Sequence, residues 1–158
     1  MLIDCIRRMR AKLISCAVCC LLLTSCQSVG DPPGGLAATK VNGSAAAKLP
    51  ACAGARLKSL TVDVAANDPT PIWGLQAATP QPIQQYYVLG QAVAGYQSSG
   101  AWSVSDQSRN VVIVAELDSG VRMSTTANFG LVHDGALYIN GSAVPLSTLN
   151  RQIKCAHA

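Results

Sequence analysis

The sequence contains few of the side chains that acid–base and metal chemistry require. Its 158 residues include two histidines and eight acidic residues, and Glu116 is the only glutamate. Charged residues make up 13% of the chain and aromatic residues 4%. Catalysis usually needs several titratable groups that converge on one site, so this composition argues against an enzyme. No cluster with metal-ligand spacing and no phosphate-binding loop occurs, so we expect neither a metal nor a cofactor.

A long apolar run is also missing. Hydrophobic residues make up 49% of the chain, but the longest apolar stretch, Leu13 to Leu23, has only 11 residues. A transmembrane helix needs about 20 apolar residues, so this stretch is too short to span a bilayer. It has the length of the hydrophobic segment of an export signal, and the basic residues that such a signal requires precede it: Arg7, Arg8, Arg10 and Lys12.

The apolar stretch ends in Leu23-Thr24-Ser25-Cys26. This tetrapeptide resembles the lipobox of bacterial lipoproteins. The resemblance implies that residues 1–25 are a cleaved signal peptide and that Cys26 carries a diacylglycerol thioether, usually with a third acyl chain on its amine. Two or more chains anchor a protein stably to a membrane. Gln27 stands where enteric inner-membrane lipoproteins have Asp, so the resemblance implies an outer-membrane protein that faces the periplasm.

Removal of residues 1–25 changes the counts that describe the mature protein. Eight Lys and Arg remain against seven Asp and Glu, so the net charge falls from +4 to +1. The basic residues are scattered, which argues against binding to nucleic acid. Besides Cys26, only Cys52 and Cys155 remain, and an oxidising compartment favours a disulfide between them. Two free thiols, or a metal site that includes His157, are the alternatives.

Composition divides the mature chain into a tether and one domain. Residues 26–50 are rich in Gly, Ala, Ser and Pro and have no apolar period, as in Asp31-Pro-Pro-Gly-Gly. We therefore predict that 26–50 is the lipidated N-terminus and a flexible tether. Residues 51–158 then form a single periplasm-facing domain.

Apolar periodicity in the domain predicts mainly strands. Alternation at 60–64 indicates a half-buried strand, whereas Thr79, Pro80 and an apolar stripe favour a helix over 79–95, with a pair of short strands as the alternative. Further strands are predicted at 102–105, 111–117, 121–128, 136–139 and 143–146, several of them separated by the turns Asp118-Ser-Gly, Asp134-Gly and Asn140-Gly.

These elements predict an α+β domain. An antiparallel meander of four to six strands carries one packed helix, and the uninterrupted apolar run 111–115 forms a central strand covered on both faces. Ser147 caps a short C-terminal helix that carries Leu149 and Ile153 and reaches Cys155. A small all-β barrel or sandwich is the alternative.

Few side chains in the domain qualify as site residues. His133 lies beside a turn, and Glu116 and Asp118 are two apart at a strand end, where paired carboxylates could cleave a glycosidic bond. Aromatic residues are the better candidates for partner contact. Trp73 is either a core residue or an anchor for a partner, and Tyr86 and Tyr87 cannot both face inward.

The sequence therefore predicts an outer-membrane lipoprotein with a non-catalytic binding or scaffolding domain. Its partners are the membrane, through Cys26, and an envelope protein, as in a secretion, conjugation or surface-fibre apparatus. The alternative is a lipid-anchored inhibitor or exclusion protein that acts on a cell-wall hydrolase, a protease or a phage receptor. A cell-envelope hydrolase is a third hypothesis. Separate substitutions of His133 and Glu116 that change no cell-wall phenotype would remove it.

Overall fold

The computed structural model describes residues 35–50, 54–65 and 71–151. Within these ranges the chain is mainly antiparallel β-strand, which confirms the β-rich prediction. The helices there are short: a 3₁₀ helix at Val104–Ser108 and helix α1 at Leu146–Arg151. The ten strands are β1 Ala37–Val41, β2 Ser44–Lys48, β3 Arg56–Val64, β4 Pro71–Pro82, β5 Tyr87–Val88, β6 Tyr96–Gly100, β7 Asn110–Leu117, β8 Arg122–Asn128, β9 Leu137–Ile139 and β10 Ser142–Val144.

The strands form two sheets of five. One sheet has the order β10-β9-β1-β2-β5, and the other has the order β6-β4-β3-β7-β8. All neighbouring strands are antiparallel. The edges of the second sheet are therefore β6 and β8.

Both sheets contribute side chains to one core. Leu60 and Ile113 come from the inner face of the second sheet, and Ala38 and Tyr87 come from the first, each with 0% exposure. Burial alternates along β3 and β7, as expected when one face of a sheet is covered. In the described ranges the fold is thus closer to the two-sheet alternative than to a single meander with a packed helix.

The prediction of a flexible tether up to residue 50 is wrong for 37–48, because β1 and β2 form a hairpin there. The turn residues Asn42 and Gly43 have φ values of 50° and 76°, the positive values that a tight hairpin turn needs. Ala45 to Ala47 are buried. The composition that suggests a linker instead reflects small side chains packed in a sheet.

The helix predicted for 79–95 is also wrong. Strand β4 continues to Pro82, and β5 begins at Tyr87. Gly90 and Gly95 have φ values of 82° and 85°, which no α-helix accommodates. Pairing with β3 along most of its length holds β4 extended and outweighs the local helix signals.

Three smaller predictions need correction. The strand expected at 102–105 is replaced by the 3₁₀ helix, because Asp106 accepts hydrogen bonds from Ser103 and turns the chain. Strand β7 is an interior strand between β3 and β8, but the central strand of the sheet is β3, and only one face of β7 is fully buried. Helix α1 begins at Leu146, so Ser147 lies inside it, and Leu149 is buried as expected. Ile153 lies outside the described residues.

Candidate protein-binding groove

Two of the three aromatic candidates are core residues. Trp73 in β4 is 2% exposed and Tyr87 in β5 is 0% exposed. Neither ring is accessible to a partner, so partner contact is wrong for both. Of the two alternatives for Trp73, a core residue or an anchor, the core residue is the one observed. Their large apolar rings instead fill the space between the two sheets.

Tyr86 lies next to Tyr87 and faces the other way, since successive side chains of extended backbone point to opposite sides. It is half-buried, and the ammonium group of Lys48 lies 4.1 Å from its ring centroid. A cation at this distance is attracted to the electron-rich ring face. Only the Tyr87 ring is fully buried, and the two residues lie on extended backbone and not on the predicted helix.

The candidate carboxylates have structural partners. Glu116 pairs with Lys58 at 2.6 Å, and this contact holds the pKa of Glu116 below its usual value. A general acid needs a raised pKa, so the shift runs opposite to that role. Asp118 accepts hydrogen bonds from the backbone N–H of Ser119 at 3.0 Å and of Arg56 at 3.4 Å. Both residues thus hold the end of β7 and the turn after it against β3.

The remaining candidates add no catalytic cluster among residues 35–50, 54–65 and 71–151. His133 is exposed. No group of three His, Cys, Asp or Glu residues in these ranges could hold a metal ion, and no helix there is long and apolar enough to span a bilayer. Cys26, Cys52 and Cys155 lie outside the described residues, so the lipid site and the disulfide stay predictions.

A groove of about 390 Å³ opens beside the edge strand β8. One wall consists of β8 and the first residue of β7. The other consists of the loop after β8 and the β9–β10 hairpin. The side chains that shape it are those of Asn110, Thr126, Asn128, Leu131, Val132 and Tyr138.

One end of the groove is held by the turn between β9 and β10. Asn140 and Gly141 have φ values of 48° and 76°, so this Asn-Gly pair makes the hairpin turn that its sequence predicts. The N–H of Gly141 donates to the carbonyl of Thr126 at 3.1 Å, and the N–H of Thr126 donates to Asn140 Oδ1 at 3.3 Å. The turn therefore satisfies part of the open edge of β8.

Asn128 holds the other end. Its Nδ2 donates to the carbonyl of Ser108 at 3.1 Å and to Asn110 Oδ1 at 3.3 Å, while its Oδ1 accepts from the N–H of Gly130 at 3.0 Å. These bonds tie the loop after β8 to the 3₁₀ helix. The loop is thereby fixed with Leu131 pointing out at the rim.

The groove has an uncharged surface with an apolar rim. None of its lining residues is charged. Leu131 is 72% exposed, which is high for a large apolar side chain. In the described part of the chain, Asn110 Nδ2, Thr126 Oγ1 and the Tyr138 hydroxyl make no hydrogen bond, so they are available to a ligand. The groove can therefore accept an apolar side chain together with backbone or amide groups.

Sequence reasoning misses this groove because its residues are far apart in the chain. Asn110 and Tyr138 belong to different sheets and meet only through the fold. One local signal was present: Leu131 is an apolar residue in a turn-rich segment, between Gly130 and Asp134-Gly135. A comparison of the chain with protein-family models, with curated proteins and with solved structures gives no match.

Proposed function

We propose that this protein is a lipid-anchored outer-membrane lipoprotein whose β domain binds an envelope protein without catalysing a reaction. The observation that carries the proposal is the uncharged groove beside β8 with Leu131 exposed at its rim. The centres of protein–protein interfaces are depleted in charged residues and enriched in aromatic ones. Leu131, Tyr138 and the two asparagines fit this chemistry.

The anchor comes from the sequence. Leu23-Thr24-Ser25-Cys26 supports lipidation of Cys26 and cleavage before it, and Gln27 supports the outer membrane. The domain faces the periplasm, where it meets other envelope components while the lipid holds it in place. A disulfide between Cys52 and Cys155 would stabilise the domain by restricting its unfolded chain.

Two exposed apolar residues allow a matched test of the groove. Leu131 lines it, whereas Val104 is 83% exposed and does not. The full chain with a C-terminal tag is cross-linked mildly in cells, purified and compared with Leu131→Arg and Val104→Arg. We expect Leu131→Arg to reduce recovery of a co-purified envelope protein by about tenfold or more, because a charge would be buried in the interface.

Val104→Arg should leave that recovery unchanged. Wild-type recovery of the partner with both variants would contradict a partner in the groove. An equal loss of recovery with both variants would place the interface elsewhere or reflect non-specific adhesion. Because both side chains are exposed, neither substitution should alter the fold, which circular dichroism checks.

A further inference from the structure

Strand β6 is an open edge of the second sheet. It pairs with β4 on one side only. The residues from Gln97 to Gly100 are all exposed, and so are Gly95 before the strand and Ala101 after it. In the described part of the chain, nothing covers this edge.

The register with β4 determines which backbone groups of β6 point away from the sheet. The N–H of Ala101 donates to the carbonyl of Ile72 at 3.0 Å. Because every second residue of an antiparallel strand bonds to the same neighbouring strand, the backbone groups of Ser99 and Gln97 also bond to β4. The N–H and C=O of Ser98 and the N–H of Gly100 therefore face outward. The carbonyl of Tyr96 faces outward too, whereas its N–H donates to Val93.

The other edges are protected. β5 has two residues, and β10 has three and is followed by Pro145. β8 begins with Arg122, and the β9–β10 turn occupies part of its edge. Natural sheets block edge-to-edge pairing with short strands, charges, proline or covering loops. The β6 sequence, Tyr-Gln-Ser-Ser-Gly, uses none of these devices.

We propose that β6 pairs antiparallel with β6 of a second copy of this chain, so that the two second sheets join across a two-fold axis at Ser98. This register places each Ser98 opposite the other, Gln97 opposite Ser99, and Tyr96 opposite Gly100. The outward groups then form four hydrogen bonds. Ser98 donates to Ser98 in both directions, and Gly100 of each copy donates to the carbonyl of Tyr96 in the other.

The side chains of β6 favour a second copy as the occupant. A two-fold interface must be complementary to itself, and a charge near its axis would face a like charge. Gln97 and Ser99 are neutral and can hydrogen-bond to each other across the pair. Tyr96 lies opposite Gly100, and its ring does not obstruct the pairing, because it packs against the core. Gly100 is itself required, because it has a φ of 69° and a Cβ there would clash with the Ile72 carbonyl.

Disulfide trapping tests the register. In the proposed pairing Gln97 and Ser99 of the two copies form a non-hydrogen-bonded pair, with Cα atoms about 4.5 Å apart, which a disulfide can bridge. Two copies of the same position, 97 with 97 or 99 with 99, lie about 8 Å apart, beyond that reach. The double variant Gln97→Cys/Ser99→Cys should therefore form covalent dimers, and each single variant should not.

The full chain is produced in cells, and dimers are detected on non-reducing gels. The wild-type chain, run beside the variants, shows how much dimer the native cysteines form. A dimer fraction at least about fivefold higher in the double variant than in either single variant is expected from this geometry. Equal cross-linking in all three variants, or none in any, would overturn the proposal.

A second measurement tests the backbone bonds. Ser98→Pro removes the outward N–H without removing a bond to β4, and proline is tolerated where the N–H of an edge strand faces solvent. Ser98→Ala keeps the N–H. By light scattering of the full chain in detergent, Ser98→Pro should raise the dimer dissociation constant about tenfold or more, and Ser98→Ala should leave it near the wild-type value. A monomer at every concentration, or a dimer insensitive to Ser98→Pro, would overturn the proposal.

The groove and the β6 edge are separate surfaces, so their tests are independent. Leu131→Arg should not change dimer formation, and Ser98→Pro leaves the groove intact. Dimers without a groove partner would overturn only the proposed function, and a partner without dimers would overturn only this inference.

Discussion

The rings of Tyr87 and Tyr96 meet edge to face across the two sheets. Their centroids are 6.2 Å apart and their planes lie at 80°. The Tyr87 hydroxyl accepts from the N–H of Gln84 at 3.0 Å, and the Tyr96 hydroxyl donates to the carbonyl of Leu57 at 3.3 Å. Burial, together with the neighbouring Tyr87, raises the pKa of Tyr96 well above its usual value, so the Tyr96 hydroxyl stays protonated at physiological pH. The pair joins β5 of one sheet to β6 of the other.

Neighbouring tyrosines should therefore differ sharply in their effect on stability. Tyr87→Ala removes a ring that is 0% exposed and should lower the free energy of unfolding by about 3 to 5 kcal/mol. Tyr86→Ala removes a half-buried ring and its contact with Lys48, which should cost about 1 kcal/mol. Urea unfolding measures both values. Similar losses for the two variants would contradict the alternation of inner and outer faces.

Asp106 should stabilise the fold at neutral pH and lose that effect in acid. The hydroxyl and the N–H of Ser103 donate to its Oδ2 at 2.6 and 2.8 Å, and these bonds hold the pKa of Asp106 below its usual value. Because the pKa of Asp106 is lower in the folded state than in the unfolded state, its contribution to stability is fully present above the unfolded-state pKa of about 4. That contribution is lost as the pH falls through the folded-state pKa.

Asp106→Asn should therefore lower the free energy of unfolding by about 1 kcal/mol at pH 7, with a smaller difference from wild type below about pH 4. Urea unfolding at several pH values checks this. A difference that stays constant with pH would mean that the charge of Asp106 does not contribute to the capping of the 3₁₀ helix.

Asp63 should show the opposite pH dependence. It lies on β3, and burial raises its pKa, so the ionised form is disfavoured in the folded state. A carboxyl group whose pKa is higher in the folded state stabilises the fold while it is protonated. This contribution is fully present below the unfolded-state pKa and is lost as the pH rises through the folded-state pKa. Asp63→Asn should thus increase the urea midpoint at pH 7 and change it little below about pH 4. A lower midpoint at pH 7 would instead indicate that the carboxylate is needed.

Much of the strand pattern is readable from the sequence, because local turn chemistry marks it. The Asn140-Gly141 turn, the alternation at 60–64 in β3 and the apolar run at 111–115 in β7 lead directly to the observed elements. The Asn42-Gly43 turn carries the same signal, but its flanking alanines have weak strand preference. Their burial depends on distant parts of the chain: Ala38 pairs with Tyr138, 100 residues later, and Ala38, Ala45 and Ala47 belong to the core that both sheets share.

The groove could not be predicted for the same reason. Its walls come from both sheets, and its shape depends on hydrogen bonds such as that from Gly141 to Thr126. For the aromatic candidates, the sequence indicated that Tyr86 and Tyr87 cannot both face inward but not which one is buried. That choice follows from the packing of Tyr87 against Tyr96, a contact between two sheets.

Lipidation is tested at Cys26. Cys26→Ser removes the proposed acylation site, so we expect loss of fatty-acid labelling and no conversion to the mature membrane-bound form. Cys52→Ser, which changes a different cysteine of the mature chain, should keep the label. Metabolic labelling and membrane fractionation measure both effects. A label that persists in Cys26→Ser would contradict the lipobox assignment.

The most direct test of the account is contact at position 131. A photoreactive amino acid replaces Leu131 in the full chain. A second variant carries it at Val104, which is also highly exposed but does not line the groove. After irradiation of intact cells, we predict one discrete adduct with an envelope protein from position 131 and none of that mass from position 104. No adduct from position 131, or the same adducts from both positions, would contradict a partner in the groove.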